Sequence, residues 1–136
     1  PFLEFIFRTM KAIPIAGARE DKKIMHDAFA KVDAELAAGN IVCIFPEGAI
    51  TQDGEIARFR PGIEKIIQRR PVPVVPASLG RLWGSWFSRR SDGGIRKIPG
   101  RLFSRVHVTF GEPVPASDVT AAKLEILVRM LRGDER

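Results

Sequence analysis

The chain has 136 residues, of which 45% are hydrophobic and 28% are charged, and its formal net charge is +6. This balance predicts one soluble domain over residues 1–136, with a core of its own, and excludes a disordered chain. It contains no apolar run of the roughly 18 to 20 residues that a membrane-spanning helix needs, and its single cysteine, Cys43, excludes an internal disulfide.

The first part of the chain is dominated by helical spacing. Residues 2–10 predict a short apolar helix, and residues 12–16 predict a short extended run that ends in a polar turn containing Arg19. From residue 22 to 38, apolar side chains recur at helical spacing, and Gly39 follows the last of them. This pattern predicts a long amphipathic helix.

The middle of the chain alternates between strand and helix signals. The continuous β-branched run at residues 41–45 is typical of a strand buried on both faces, as in a parallel sheet covered by helices. Residues 48–59 predict a loop, and Pro61 begins a helix that Pro71 ends. Residues 72–79 include two further prolines, which predicts an irregular or edge strand.

The last third predicts one more strand and helix. Residues 105–110 alternate as a strand does, and Ser117 is a candidate N-cap for a helix over residues 118–132, which Gly133 closes. Strand and helix therefore alternate through most of the chain. The predicted fold class is α/β, with a mixed, largely parallel sheet flanked by helices and incomplete at its amino terminus.

A basic and aromatic insertion lies between the last two predicted strands. Residues 81–105 hold seven Lys or Arg residues and one acid, so nearly all of the net charge is concentrated there. The insertion is either a solvated loop or the contact for an anionic partner, such as a membrane surface, an acidic carrier protein or nucleic acid. The candidate contact residues are Trp83, Trp86, Phe87, Arg89 and Arg90.

The candidate site follows the run at residues 41–45. Ligands of open α/β sheets bind beyond the carboxyl ends of strands, and Glu47 lies there between Pro46 and Gly48. Its carboxylate can accept a hydrogen bond from a substrate hydroxyl. Arg60 precedes a predicted helix start, where an anion is favoured, and Arg19 follows another extended run. Together they predict a substrate with a phosphate and a hydroxyl.

Other site types find little support. The sequence contains neither GxGxxG nor GxxxxGK[ST], the glycine-rich loops that cradle nucleotide phosphates. Its two histidines and one cysteine lie far apart in sequence, which disfavours a zinc cluster. No bound cofactor or metal is expected.

The segments FPEG, FRPGIEKII and VPVVPASL resemble the phospholipid/glycerol acyltransferase family. The segments KAIPIA, ARED and CIFPEG look most like the acyltransferase domains of bacterial 2-acylglycerophosphoethanolamine acyltransferase/acyl-ACP synthetase proteins. The resemblance implies transfer of a fatty acyl group from acyl carrier protein or coenzyme A to a lysophospholipid or acylglycerol phosphate, in phospholipid biosynthesis or remodelling. It also implies work at the cytoplasmic face of a membrane, as a peripheral protein or as part of a larger membrane protein.

The resemblance assigns roles to single residues. Glu47 matches the FPEG glutamate that positions the acceptor, Arg19 matches an arginine that contacts its phosphate, and Arg60 matches the basic position of the F-[KR]-x-G stretch. The expected substrate-binding set comprises Arg19, Phe45, Pro46, Glu47, Gly48, Thr51 and Arg60.

The sequence departs from the family pattern in two places. Where the family often has Thr-Arg-Ser after FPEG, this chain has Ala49, Ile50 and Thr51, so one phosphate-binding arginine is missing. The NHxxxxD motif, whose histidine is the family's general base, is absent, and neither His26 nor His107 replaces it. The chain is therefore expected to be the carboxyl-terminal part of an acyltransferase domain and to be inactive alone. The alternative is a noncatalytic module that binds anionic lipid or acyl carrier protein.

Overall fold

The computed structural model describes residues 12–13, 22–49, 51, 53–81 and 106–134. Three sequence predictions fall outside these residues: the helix at 2–10, the turn containing Arg19, and the basic and aromatic contact residues of the insertion. The chain divides into two compact units, residues 1–44 and 45–136. That residues 1–136 form one domain stays a prediction.

The described part of the first unit contains one helix, α1, at Lys22–Ala37. Its predicted bounds are confirmed to within one residue. Ala28 and Val32 are buried, as the helical spacing of the apolar residues requires. The helix ends in a turn in which the Asn40 amide donates to the Glu35 carbonyl and Gly39 adopts a φ of +80°. Glycine reaches a positive φ at little energy because it has no β-carbon, which explains its position after the last turn.

The predicted buried strand at residues 41–45 is wrong for the structure as described. These residues form neither helix nor strand, Ile41 is 98% exposed and Phe45 is 69% exposed. A β-branched run forms a strand only where a neighbouring strand supplies backbone hydrogen bonds, and no described residue pairs with this run.

The second unit contains the remaining elements that the structure describes. Helix α2 is Gly62–Arg69, strand β1 is Ala77–Gly80, strand β2 is His107–Phe110 and helix α3 is Ala121–Arg132. Pro61 occupies the position before the first residue of α2, one place earlier than predicted. The sequence pattern therefore predicted these two helices and two strands, apart from their ends.

The two strands form an antiparallel pair, in which Ala77 faces Phe110 and Gly80 faces His107. A separate antiparallel bridge joins Val74 to Val114. Helices and an antiparallel pair are compatible with the α/β class, but a largely parallel sheet is not observed among the described residues. Two prolines before β1 cannot donate to a sheet ladder, which shortens the predicted strand to its last residues.

The core of this unit lies between α3, α2 and one face of the strand pair. Helix α3 packs against both strands and against α2. Its Leu124 is only 4% exposed, and Ile63 and Ile67 of α2 are buried. The other face of the strands is apolar and open, with Val108 and Phe110 50% and 69% exposed. Among the described residues, helices therefore cover one face of the strand pair.

Helix α3 begins later than predicted. Thr120, and not Ser117, is its N-cap, because the Thr120 hydroxyl accepts a hydrogen bond from the Lys123 amide at 3.1 Å. Ser117 lies in a short 3₁₀ turn, Ala116–Asp118, and donates to the Asp118 carboxylate. The end of the helix at Gly133 is confirmed.

None of the helices in the described part of the chain is long and apolar enough to cross a lipid bilayer.

Candidate functional site

The FPEG segment forms a tight turn. The Gly48 amide donates to the Phe45 carbonyl at 3.1 Å, with Pro46 and Glu47 in the two central positions. Proline suits the first central position because its φ is already fixed near the required value. Gly48 has a φ of +65°, a left-handed conformation that strains residues with a β-carbon. The sequence Pro-Glu-Gly thus dictates a turn that carries the half-buried glutamate at its tip.

Two hydrogen bonds join this turn to the FRPG segment. The Ala57 amide donates to Glu47 Oε2 at 2.6 Å, and the Arg60 amide donates to the Pro46 carbonyl at 2.8 Å. The second carboxylate oxygen, Glu47 Oε1, has no hydrogen-bond partner within the described residues. One carboxylate oxygen therefore holds the loop, and the other is available to a ligand.

The Arg60 side chain lies against Gly48. A β-carbon on Gly48 would be 3.0 Å from Arg60 Nε and 3.1 Å from Arg60 Cδ. Glycine leaves room for the arginine stem at this point, whereas a β-carbon would force the arginine side chain to shift by a few tenths of an ångström. In the part of the chain that the structure describes, no carboxylate lies within ion-pair distance of Arg60. Glycine thus lets a guanidinium group approach the turn that carries Glu47.

Arg60 also lines a groove of about 520 Å³. Its walls come from residues 58–61, from Glu64 on α2, and from Ala121, Ala122 and Glu125 on α3. Residues 58–60 are exposed, buried and exposed in turn, so both arginines of Arg-Phe-Arg line the groove while Phe59 packs inward at 7% exposure. The groove therefore carries two positive groups along one wall.

Backbone amides engage both carboxylates of the groove. Glu64 Oε1 accepts from the Ala121 amide at 2.8 Å, and Glu125 Oε2 accepts from the Phe59 amide at 3.0 Å. The bond from Phe59 is the main cause that lowers the pKa of Glu125, and Arg129 lowers it further. These hydrogen bonds from backbone amides hold each carboxylate against a fixed part of the backbone.

A family model described as acyltransferase matches residues 1–80. The chain belongs to the acyltransferase family. No curated protein and no solved structure shows a significant match to it. The matched range includes the FPEG turn and the FRPG segment, whereas β2 and α3 lie beyond it. Family membership supports acyl transfer between a donor and an acceptor as the general activity.

The structure of this acyltransferase brings three of the predicted site residues together, namely Glu47, Gly48 and Arg60. Pro46 belongs to the same turn through its carbonyl. Phe45 is 69% exposed at the edge of the turn. Arg19 lies outside the described residues, so its place near the acceptor phosphate stays a prediction.

Thr51 has a local bond network. Its hydroxyl donates to Asp53 Oδ1 at 2.9 Å and accepts from the Gly54 amide at 3.0 Å. These bonds close the turn that follows FPEG. The structure thus gives Thr51 a role in loop geometry, and its predicted contact with substrate stays untested.

The sequence did not point to three charged residues of the groove, namely Arg58, Glu64 and Glu125. Arg58 could have been found from the alternation Arg-Phe-Arg, because an extended backbone places residues two apart on the same side. Glu125 carried no such signal, since it lies on α3, 66 residues from the amide it binds. Within the described residues, no group of three His, Cys, Asp or Glu side chains could hold a metal ion.

The lowered pKa of Glu125 predicts a pH-dependent stability. Its charged form is favoured in the folded acyltransferase, so its contribution is complete above the ordinary value of 4.5 and is lost as the pH falls through the lowered folded value. We expect the stability difference between wild type and Glu125→Gln to shrink in urea unfolding from neutral pH to about pH 3. A difference that stays constant over this range would contradict the assignment.

Proposed function

We propose that the Glu47 turn and Arg60 bind the acceptor of acyl transfer, a lysophospholipid or an acylglycerol phosphate. The observation that supports this most is the pairing of an available carboxylate oxygen with a guanidinium that has no ion-pair partner among the described residues. A carboxylate accepts a hydrogen bond from the acceptor hydroxyl, and a guanidinium grips phosphate oxygens in a bidentate fork.

The proposed reaction is direct transfer. The acceptor hydroxyl oxygen attacks the thioester carbonyl carbon of acyl carrier protein or coenzyme A, the carbon–sulfur bond breaks, and the sulfur leaves as a thiolate that takes up the proton held by the base. The hydroxyl loses its proton to a general base, and no covalent enzyme intermediate, bound cofactor or metal takes part. In the proposal, Glu47 orients the hydroxyl and Arg60 fixes the phosphate. Because holding reactants in place removes much of the entropy barrier, such positioning is a substantial part of catalysis.

The general base is proposed to be the histidine of an NHxxxxD motif, which these 136 residues do not contain. Losing a general base slows a reaction by about 10²- to 10⁴-fold. The polypeptide of this sequence is therefore proposed to bind the acceptor without measurable transfer. Its place of action is proposed to be the cytoplasmic face of a membrane, where lysophospholipid acceptors reside. The aromatic and basic insertion that begins near Trp83 stays the predicted membrane or carrier contact.

The test is a titration followed by amide resonances. We expect sn-glycerol 3-phosphate to shift the amide signals of Gly48, Ala57 and Arg60, since these amides lie in the turn or bond to it. Glycerol at the same concentration lacks the phosphate and should leave them unchanged. An assay with acyl-CoA and lysophospholipid should give no product from this polypeptide. Shifts confined to other parts of the chain would refute the site, and turnover would refute the need for an outside base.

A further inference from the structure

Three charged residues of α3 lie on one side of the helix, and all of them reach the same loop. Glu125, Arg129 and Arg132 follow each other at spacings of four and three residues, which places them in one row. The loop is the segment at residues 54–59, which leads from the turn after FPEG to Arg60. This segment contains neither helix nor strand, so its backbone groups need partners from elsewhere.

The row supplies those partners. Arg132 donates to the Gly54 carbonyl at 3.0 Å and to Glu55 Oε2 at 2.7 Å. Arg129 donates to the Ile56 carbonyl at 2.5 Å and also contacts Glu125 at 3.1 Å. The Phe59 amide donates to Glu125 at 3.0 Å. Four of the six residues in the segment are therefore bonded to α3.

The same segment bonds to the FPEG turn on its other side. Ala57 donates to the Glu47 carboxylate, and Arg60, the next residue after the segment, donates to the Pro46 carbonyl. The segment thus connects α3 to both groups of the proposed acceptor site. A shift of this backbone displaces the Glu47 carboxylate and the Arg60 guanidinium together.

Two members of the row are more buried than an ordinary surface pair, whereas Arg129 is 41% exposed. Arg132 is only 12% exposed and Glu125 21% exposed, whereas the surface pair of Lys123 with Asp118 is about half exposed on both sides. Surface pairs contribute little, but a charged side chain bonded to backbone in a partly buried position holds that backbone more firmly. The geometry of the row therefore suits a rigid support.

We propose that Glu125, Arg129 and Arg132 are positioning residues that set the geometry of the acceptor site from outside the range matched by the family model. The inference rests on the proposed function of Glu47 and Arg60, and it adds a structural element that no motif in residues 1–80 supplies. Removing one member of the row loosens the segment, and the carboxylate and guanidinium then lose their fixed separation.

The test compares Glu125→Ala and Arg129→Ala with conservative replacements. We expect each alanine variant to weaken binding of sn-glycerol 3-phosphate on the order of tenfold, and to speed hydrogen exchange at the Ala57 amide. Glu125→Gln keeps an oxygen that accepts from Phe59, so it should recover most of the affinity. Arg132 is left intact because its burial makes its loss a risk to folding.

Two controls separate positioning from general loss of stability. Met130→Ala changes a side chain of α3 that is 73% exposed and should affect neither binding nor exchange. Ile67→Val removes one buried methyl group of α2, lowers the melting temperature, and should leave the affinity unchanged. An affinity loss in Ile67→Val equal to that in Arg129→Ala, at equal melting temperature, would overturn the inference.

The two proposals fail in different ways. If wild type does not bind sn-glycerol 3-phosphate, the proposed function fails, but exchange at the Ala57 amide still reports whether the row holds the segment. If wild type binds sn-glycerol 3-phosphate and both alanine variants bind it as tightly as wild type does, the proposed acceptor site stands and the positioning role is overturned.

Discussion

Glu47→Ala is expected to weaken binding of sn-glycerol 3-phosphate by at least about tenfold, because a hydrogen bond to a charged group contributes about 1.5 to 3 kcal/mol. The substitution removes the oxygen available to the acceptor hydroxyl. It also removes the bond from the Ala57 amide, which holds the turn against the FRPG segment. Both effects act in the same direction on affinity, and titration calorimetry or amide resonances measure the result.

Two further variants make the Glu47 experiment specific. Glu47→Gln keeps an acceptor for the Ala57 amide but removes the charge, so it should retain the loop geometry and lose part of the affinity. Glu112→Ala removes an exposed carboxylate after β2 and changes the net charge equally. If Glu112→Ala weakens binding as much as Glu47→Ala, long-range charge and not a local hydrogen bond explains the loss.

Gly48→Ala is expected to lower both stability and acceptor binding. At a φ of +65° a β-carbon costs about 1 to 2 kcal/mol. The new methyl group would also meet Arg60 Nε at 3.0 Å, so the arginine side chain must shift by a few tenths of an ångström. Urea unfolding should report the first effect, and the sn-glycerol 3-phosphate titration should report the second.

Two glycine controls distinguish these effects. Gly39 also has a positive φ, +80°, but an added β-carbon there meets nothing within 4 Å, so Gly39→Ala should cost stability without changing binding. Gly48→Asn should recover part of the stability, because asparagine tolerates the left-handed region, while still displacing Arg60. If Gly48→Ala binds as well as wild type, the position of Arg60 over Gly48 is irrelevant to the acceptor.

The helices were predictable from the sequence because the apolar residues of an amphipathic helix recur at helical spacing. Helix α1 shows this most directly, with Ala28 and Val32 buried on its inner face. Strands were less predictable, since a strand depends on a partner. The apolar run at residues 41–45 has the composition of a strand, yet no described residue pairs with it. The antiparallel direction of β1 and β2 likewise depends on how distant segments meet.

The candidate site, too, was predictable from the sequence only in part. The FPEG and FRPG motifs identified Glu47, Gly48 and Arg60. The turn geometry of Pro-Glu-Gly follows from local backbone preferences. That Arg60 lies over Gly48, and that Arg58 lines the same groove as Glu125, followed only from the folded chain. These contacts join segments that have no common period in sequence.

The sequence by itself determined the acyltransferase motifs, the helices of the described residues and the residues that can carry the acceptor chemistry. The tertiary structure decided how those residues are held. Glu125 bonds to Phe59 across 66 residues and Arg132 to Gly54 across 78. Such bonds run from a helix to the backbone of an irregular loop, which has no repeating pattern. Local preferences therefore cannot predict them, and the loop that carries Glu47 and Arg60 takes its geometry from them.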